Sequence, residues 1–178
     1  MKKAIITLTL FTCFVFASCK KDKTTEDQLP PATQTGANTF GCLVNGKVFV
    51  PKGYGGTGRP NPHILYDYDL QGKPFLAIET HQYQNYNSMA GIDISFFDIV
   101  YSGSYLLPNE FKLSIGSIEI LGNCGISSLD SSVNRWGGGV ITKLDIPNRI
   151  ISGTFDCKFK RPQCDTVRVT NGRFDIKF

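Results

Sequence analysis

The chain has 178 residues, of which 19 are lysine or arginine and 15 are aspartate or glutamate, giving a formal net charge of +4 at pH 7. These charges are spread along the chain rather than gathered into a basic stripe, which excludes a nucleic-acid-binding protein of the usual kind. Residues 39–178 amount to one domain, long enough to bury about 68% of the surface that the unfolded chain exposes.

The N-terminus begins with two lysines, continues with an uncharged, mostly apolar run over residues 4–16, and then has two small residues before Cys19. Such a pattern is typical of a secretory signal, and it is too short to span the ~30 Å hydrocarbon core as a helix. Its ending resembles the lipobox of bacterial lipoproteins, although Phe16 stands where that family usually has leucine. The resemblance implies that residues 1–18 are removed and that Cys19 is lipidated. The alternative is an ordinary cleaved signal with an incidental cysteine.

Residues 19–38 follow as a lipid-anchored tether. Leu29 is the one large apolar side chain between residues 20 and 38, so this segment cannot form a core of its own. We expect a flexible coil whose ends lie on the order of 25 Å apart. Lys20, Lys21 and Asp22 resemble the short charged segments that direct lipoproteins of the Bacteroidota to the cell exterior, which implies an outer-membrane, surface-exposed location.

Four cysteines remain once Cys13 has left with the signal and Cys19 carries lipid. An even number outside the cytoplasm predicts two disulfides, which we assign as Cys42 with Cys124 and Cys157 with Cys164. The second pair needs a bulge between residues 160 and 166, because strand alternation points its two members to opposite faces. Zinc is the competing interpretation, but the spacing contains no Cys-x-x-Cys pair.

After residue 38 the chain alternates apolar and polar residues between breaks rich in glycine, proline and asparagine, which predicts strands. An N-terminal hairpin over 39–44 and 47–50 turns at Asn45-Gly46. Further strands are predicted at 63–70, 75–83, 91–100, 104–107, 111–121, 139–145 and 151–159. A second Asn-Gly turn at 171–172 separates strands at 167–169 and 174–178. About ten short antiparallel strands predict an all-β, two-sheet sandwich, with a closed β-barrel as the alternative.

Four segments of this predicted domain resemble small uncharacterised lipoproteins of the Bacteroidota. They are the opening at 39–51, Ser-Gly-Ser-Tyr-Leu-Leu at 102–107, Ile-Ser-Gly-Thr-Phe-Asp at 151–156, and Thr-Asn-Gly-Arg-Phe-Asp at 170–175. The similarity covers most of the domain and implies an all-β lipoprotein domain. It implies no catalytic residues.

Motifs for catalysis and cofactors are weak. A Gly-x-Gly-x-x-Gly pattern at 53–58 lacks the following helix that would place pyrophosphate on its N-terminus. There is no Gly-x-Ser-x-Gly elbow and there are only two histidines, which argues against a serine triad. Asp93 and Asp98 fall on opposite faces of one predicted strand, so they do not form a glycosidase pair. We therefore expect a protein without enzymatic activity and without a cofactor.

Aromatic residues favour a binding module. Tyr83, Tyr86 and Trp136, with amide side chains nearby, are predicted to form a stacking platform for a sugar, and Trp136 is placed in a loop. The alternative is that these rings pack into the β core.

The two histidines predict a surface metal site. If strands 63–70 and 75–83 are joined through a three-residue turn at 71–73, His63 lies directly opposite His81, beside Glu79. Opposed positions have Cβ atoms about 5 Å apart, which suits two ligands of one ion. The alternative is two exposed histidines paired by chance.

These patterns predict a lipid-anchored cell-envelope protein with a non-enzymatic binding or structural domain. The alternative function is a glycan- or metal-binding surface lipoprotein that serves an uptake system. Expected partners are the membrane, through the lipid, and a glycan or another envelope protein. No nucleic acid is expected.

Overall fold

A computed structural model describes residues 25–53, 58–85, 88–116, 121–127 and 129–178. A single turn of 3-10 helix, Glu26–Gln28, precedes ten strands. The strands are β1 (Thr39–Val44), β2 (Lys47–Phe49), β3 (His63–Tyr68), β4 (Pro74–Asn85), β5 (Ser88–Phe97), β6 (Gly103–Leu106), β7 (Phe111–Gly116), β8 (Asn134–Asp145), β9 (Ile150–Lys160) and β10 (Val167–Lys177). In this part of the chain no helix has the length and apolar character that crossing a membrane requires.

The strands form two antiparallel sheets packed face to face. The six-stranded sheet has the order β2-β1-β10-β9-β8-β6, and the four-stranded sheet has the order β3-β4-β5-β7. Each sheet keeps two edge strands, so the all-β sandwich prediction is confirmed and the closed-barrel alternative is wrong.

The core lies between the sheets and is rich in phenylalanine. Phe96 of β5 and Phe111 of β7 have ring centroids 4.7 Å apart, and Phe40 lies 5.4 Å from Phe155 within the six-stranded sheet. All four rings are almost fully buried. Because alternate residues of each strand face this layer, the intervening residues form two outer faces.

The predicted N-terminal hairpin is confirmed in its turn and register. Val44 pairs with Lys47, and the two turn residues have positive φ angles of 48° at Asn45 and 79° at Gly46. Such angles belong to the two-residue turn whose twist matches that of the flanking strands, and they explain the Asn-Gly sequence.

The second predicted Asn-Gly turn is wrong, because β10 runs through residues 171–172 as one strand. A bulge falls between Val169 and Gly172 in its pairing with β9, and Asn171 there has a φ of 53°. One extra residue shifts the alternation, so Val169 and Phe174 both face the core despite their odd spacing. A turn and a bulge satisfy the same local pattern, and only the pairing with β9 distinguishes them.

The predicted flexible tether is wrong for the residues that the structure describes. Residues 25–38, here called the N-terminal strap, lie on the outer face of the six-stranded sheet. Leu29 is buried, and Pro30 packs so closely on Gly41 that a Cβ added there would lie 2.7 Å from the proline ring. Lys143 also donates a hydrogen bond of 3.0 Å to the Gln34 carbonyl.

Asp175 holds the strap in place. Its carboxylate is fully buried and accepts hydrogen bonds from the Ser152 hydroxyl at 2.8 Å and from the Gly36 amide at 2.8 Å. Thr33 and Thr35 also donate to it. Burial raises the pKa of Asp175, but these donors outweigh burial and hold the pKa well below the ordinary value.

The predicted disulfide pairing is also wrong. Cys124 is bonded to Cys164, with Cα atoms 5.8 Å apart, while Cys42 and Cys157 are free and buried. The bridge joins the connection that enters β8 to the connection that leaves β9, and these lie at the same end of the sheet because β8 and β9 are antiparallel. Strand β10 separates Cys42 from Cys157, which places them about 10 Å apart, beyond the reach of a disulfide.

Candidate functional site

The structure does not bring together the two residues of the predicted aromatic platform that it describes. Trp136 lies in β8 of the six-stranded sheet rather than in a loop, and Tyr83 lies in β4 of the other sheet. The Tyr83 ring packs on the backbone at Gly53, where an added Cβ would lie 2.9 Å from it. Tyr86 and the proposed lipidation site, Cys19, are outside the described residues. Of the two predicted ligand-binding residues that the structure describes, Trp136 is therefore the one that remains a candidate.

Trp136 stands in a row of side chains across three neighbouring strands. It pairs with Lys158 of β9, which pairs in turn with Arg168 of β10. All three are exposed on the outer face, and Trp136 keeps 50% of its surface accessible. The Lys158 ammonium lies 5.3 Å from the indole centroid, a favourable cation–π distance. We call this row and the backbone beside it the Trp136 face.

Glycine keeps the floor of this face free of side chains. Gly137 has a φ of 103°, and a Cβ there would collide with the Asp156 carbonyl oxygen. A Cβ on Gly138 would collide with the carbonyl oxygen of Tyr105 on the neighbouring strand β6. Close approach of three backbones therefore requires glycine, and the result is bare peptide surface beside an exposed indole.

Two shallow depressions meet at Asp156. The first, about 270 Å³, includes Trp136, Lys158, Arg168 and Thr170 in its lining. The second, about 360 Å³, extends from Asp156 to Glu26 and Ala32 of the N-terminal strap. Because they share Asp156, we name the two adjoining depressions together the groove, with Trp136 at one end and the strap residues Glu26 and Ala32 at the other.

The electrostatics of the groove differ between its two ends. Near the strap, Arg173 is paired with Glu26 at 3.3 Å. At the other end, no carboxylate in the described part of the chain forms an ion pair with Lys158 or Arg168. Asp156 is the acidic residue in the lining there, and its carboxylate accepts a hydrogen bond from the Asn171 amide at 3.0 Å. The Trp136 end is therefore positively charged.

The predicted metal site is wrong in its register. His63 pairs with Glu79 rather than with His81, because a five-residue connection at 69–73 replaces the predicted three-residue turn. Asp69 stabilises this longer connection by accepting hydrogen bonds from the Gln71 and Lys73 amides.

This register does bring two of the predicted ligands together. His63 Nδ1 lies 3.3 Å from Glu79 Oε2, while His81 Nδ1 is buried without a hydrogen-bond partner. Asp93, opposite Glu79 on β5, has its pKa raised by burial. Among the described residues, no group of three His, Cys, Asp or Glu side chains is placed to hold a metal ion.

The two free thiols are poor nucleophiles. Burial raises the pKa of Cys42, and burial together with the neighbouring Asp156 charge raises the pKa of Cys157 to about 12. Both therefore stay protonated near neutral pH, whereas the thiolate is the reactive form.

Lys158, Arg168 and Asp156 were not identified as site residues from the sequence. Alternation in β9 does place residues 156 and 158 outward, but which strands neighbour β9 depends on sheet order, which no local pattern encodes. No family model, curated protein or solved structure matches the chain.

Proposed function

We propose that this chain is a lipid-anchored protein of the bacterial outer membrane whose β-sandwich is a non-enzymatic binding domain. The N-terminal pattern that ends at Cys19 supports the anchor. The binding role rests on one observation: Trp136 is half exposed in a groove, beside bare backbone and two cations that form no ion pair with the acidic residues the structure describes.

That arrangement supports ligand binding because half of the indole surface stays exposed although Lys158 contacts the ring. An exposed indole offers a large apolar surface together with an N–H donor, and such residues are enriched where proteins bind partners. The buried thiols of Cys42 and Cys157 have raised pKa values, so neither supplies a nucleophile to this face.

A glycan is the ligand class that this groove favours, as part of a surface lipoprotein that serves uptake. Sugar rings present apolar faces that stack on aromatic side chains and hydroxyls that pair with exposed polar groups. The polar groups available here include the side chains of Asp156, Thr154 and Thr170.

The anchor is tested by membrane fractionation of cells that express the wild type or Cys19→Ser. Several acyl chains give stable attachment, at ~0.8 kcal/mol per buried methylene, so the wild type should be found in the membrane pellet and Cys19→Ser should leave it. Cys13→Ser is the matched control, because this cysteine leaves with the signal, and its product should stay in the pellet. A Cys19→Ser protein that remains in the membrane with an unchanged mature mass would refute lipidation.

The binding face is tested by calorimetry with neutral and acidic oligosaccharides. Trp136→Ala should abolish binding. Tyr68→Ala is the matched control, because Tyr68 is an aromatic residue with 60% exposure on the other sheet, and this variant should bind like the wild type. Equal binding by both variants would place the ligand elsewhere.

A further inference from the structure

The row across the Trp136 face places two cations directly opposite each other. Lys158 and Arg168 are cross-strand partners on one face, where opposed Cβ atoms lie about 5 Å apart. Like charges at such positions destabilise a sheet. The fold tolerates this repulsion although no acidic side chain in the described part of the chain forms an ion pair with either cation.

Two neighbouring cations of the same sheet form an ion pair or a hydrogen bond within the protein. Arg173 is paired with Glu26, and Lys160 donates a hydrogen bond of 2.6 Å to the Cys164 carbonyl. The unrelieved pair is therefore confined to the end of the groove that contains the exposed indole. An anion bound between Lys158 and Arg168 would relieve the repulsion and accept charge-assisted hydrogen bonds from both.

The rest of the surface at the Trp136 end of the groove has the size and character to contact a sugar ring. The Trp136 indole offers an apolar stacking surface, and Gly137, which has no side chain, lines the same depression beside it. A ligand that combines a flat, partly apolar ring with a carboxylate or sulfate would contact the indole and the cationic pair at once. Neighbouring strands are about 4.8 Å apart, so these contacts are within the dimensions of one or two sugar rings.

We propose that the Trp136 face binds an acidic saccharide, with a sugar ring stacked against Trp136 and its carboxylate or sulfate between Lys158 and Arg168. This inference rests on the proposed binding function and narrows its ligand class. Asp156, next to Lys158 on the same face, accepts a hydrogen bond from a sugar hydroxyl and sets the orientation of the ring.

The test uses the fluorescence of Trp136, the only tryptophan in the chain, in the mature protein kept in detergent. The probes are an oligogalacturonate, a sulfated oligosaccharide and a neutral oligosaccharide of equal length, with inorganic polyphosphate as a plain polyanion. The two acidic saccharides distinguish a carboxylate from a sulfate as the preferred group. At least one should change the emission at lower concentration than the neutral sugar does, and raised salt should weaken its binding.

The double variant Lys158→Gln and Arg168→Gln should weaken binding of the acidic saccharide about tenfold, to the level of the neutral one. Lys112→Gln is the matched control, because Lys112 makes a similar cation–π contact, 4.7 Å from the Phe97 centroid, on the opposite sheet. It should bind like the wild type. Circular dichroism confirms that each variant is folded.

Three results would overturn the inference. Equal affinity for acidic and neutral sugars would remove the acidic preference but leave glycan binding standing. Polyphosphate that binds as tightly as the acidic saccharide would indicate nonspecific attraction of polyanions. No response to any saccharide would overturn both the acidic preference and the glycan ligand, whereas the membrane anchor is tested separately by fractionation.

Discussion

The Thr33 hydroxyl donates a hydrogen bond of 2.5 Å to the Asp175 carboxylate, joining residues 142 positions apart. This contact fixes the N-terminal strap to the last strand and places the strap along the groove that leads to Trp136. Under the proposed lipidation of Cys19, only residues 19–24 separate the lipid from the docked strap. That length spans at most about 20 Å, so the domain is held close to the membrane.

Replacing Asp175 by asparagine should destabilise the protein by about 2–3 kcal/mol. The amide of asparagine has one acceptor oxygen, so it leaves donors from the strap and from Ser152 without partners in a buried place. Urea denaturation measures the loss, and limited proteolysis should cut the variant within residues 25–38. Asp67→Asn is the matched control on an exposed strand position, and its stability should change by less than about 0.5 kcal/mol.

We expect the free energy of unfolding to fall in acid because of the same Asp175 carboxylate. The folded pKa of Asp175 is lowered relative to the unfolded chain. Its contribution to stability is therefore fully present above the unfolded pKa of about 3.9 and is lost as pH falls below that value toward the folded pKa. Urea midpoints measured between about pH 6 and pH 2 should fall more steeply for the wild type than for Asp175→Asn. Parallel curves would refute this assignment.

Arg168→Gln should stabilise the protein while weakening its binding. The change removes the repulsion with Lys158 but keeps the contact between Lys158 and Trp136, so we expect a gain of about 0.2–1 kcal/mol that shrinks as salt is added. Denaturation at low and high salt measures it. A loss of stability would mean that Arg168 supports the fold rather than the ligand.

Cys124→Ser should destabilise the protein by about 4 kcal/mol, the chain-entropy value for the 40-residue separation that the disulfide spans. Reducing agent should destabilise the wild type similarly and leave the variant unchanged. Mapping of unreduced peptides should show Cys124 linked to Cys164. Cys42 and Cys157 should react with a thiol reagent only after unfolding, because both are buried and have raised pKa values.

Local patterns predicted the first hairpin and the presence of most strands, because alternation and the Asn45-Gly46 turn act over a few residues, but they started β8 at residue 139 rather than at Asn134. These predictions were wrong where contacts between residues far apart in the sequence determine the strand pairing. The bulge at Asn171 satisfies the same alternation as a turn, and the β3–β4 register depends on the side chain of Asp69.

Long-range contacts also explain the other errors. The strap has a single large apolar residue, Leu29, and its order depends on Asp175 at the far end of the chain. The disulfide joins two connections that meet only once the strands have paired. Trp136 was a candidate because it was placed in a loop, which is wrong because it lies in β8, and its pairing with Lys158 required the sheet order.

Mapping amide chemical shifts by NMR during titration of the mature protein with the acidic saccharide locates the binding surface most directly. The largest shifts should fall at residues 136–137, 156–158 and 168–170, which line one end of the groove on the six-stranded sheet. They should diminish in Trp136→Ala. Shifts concentrated on β3, β4, β5 and β7, or no shifts at saturating saccharide, would contradict ligand binding at the Trp136 face.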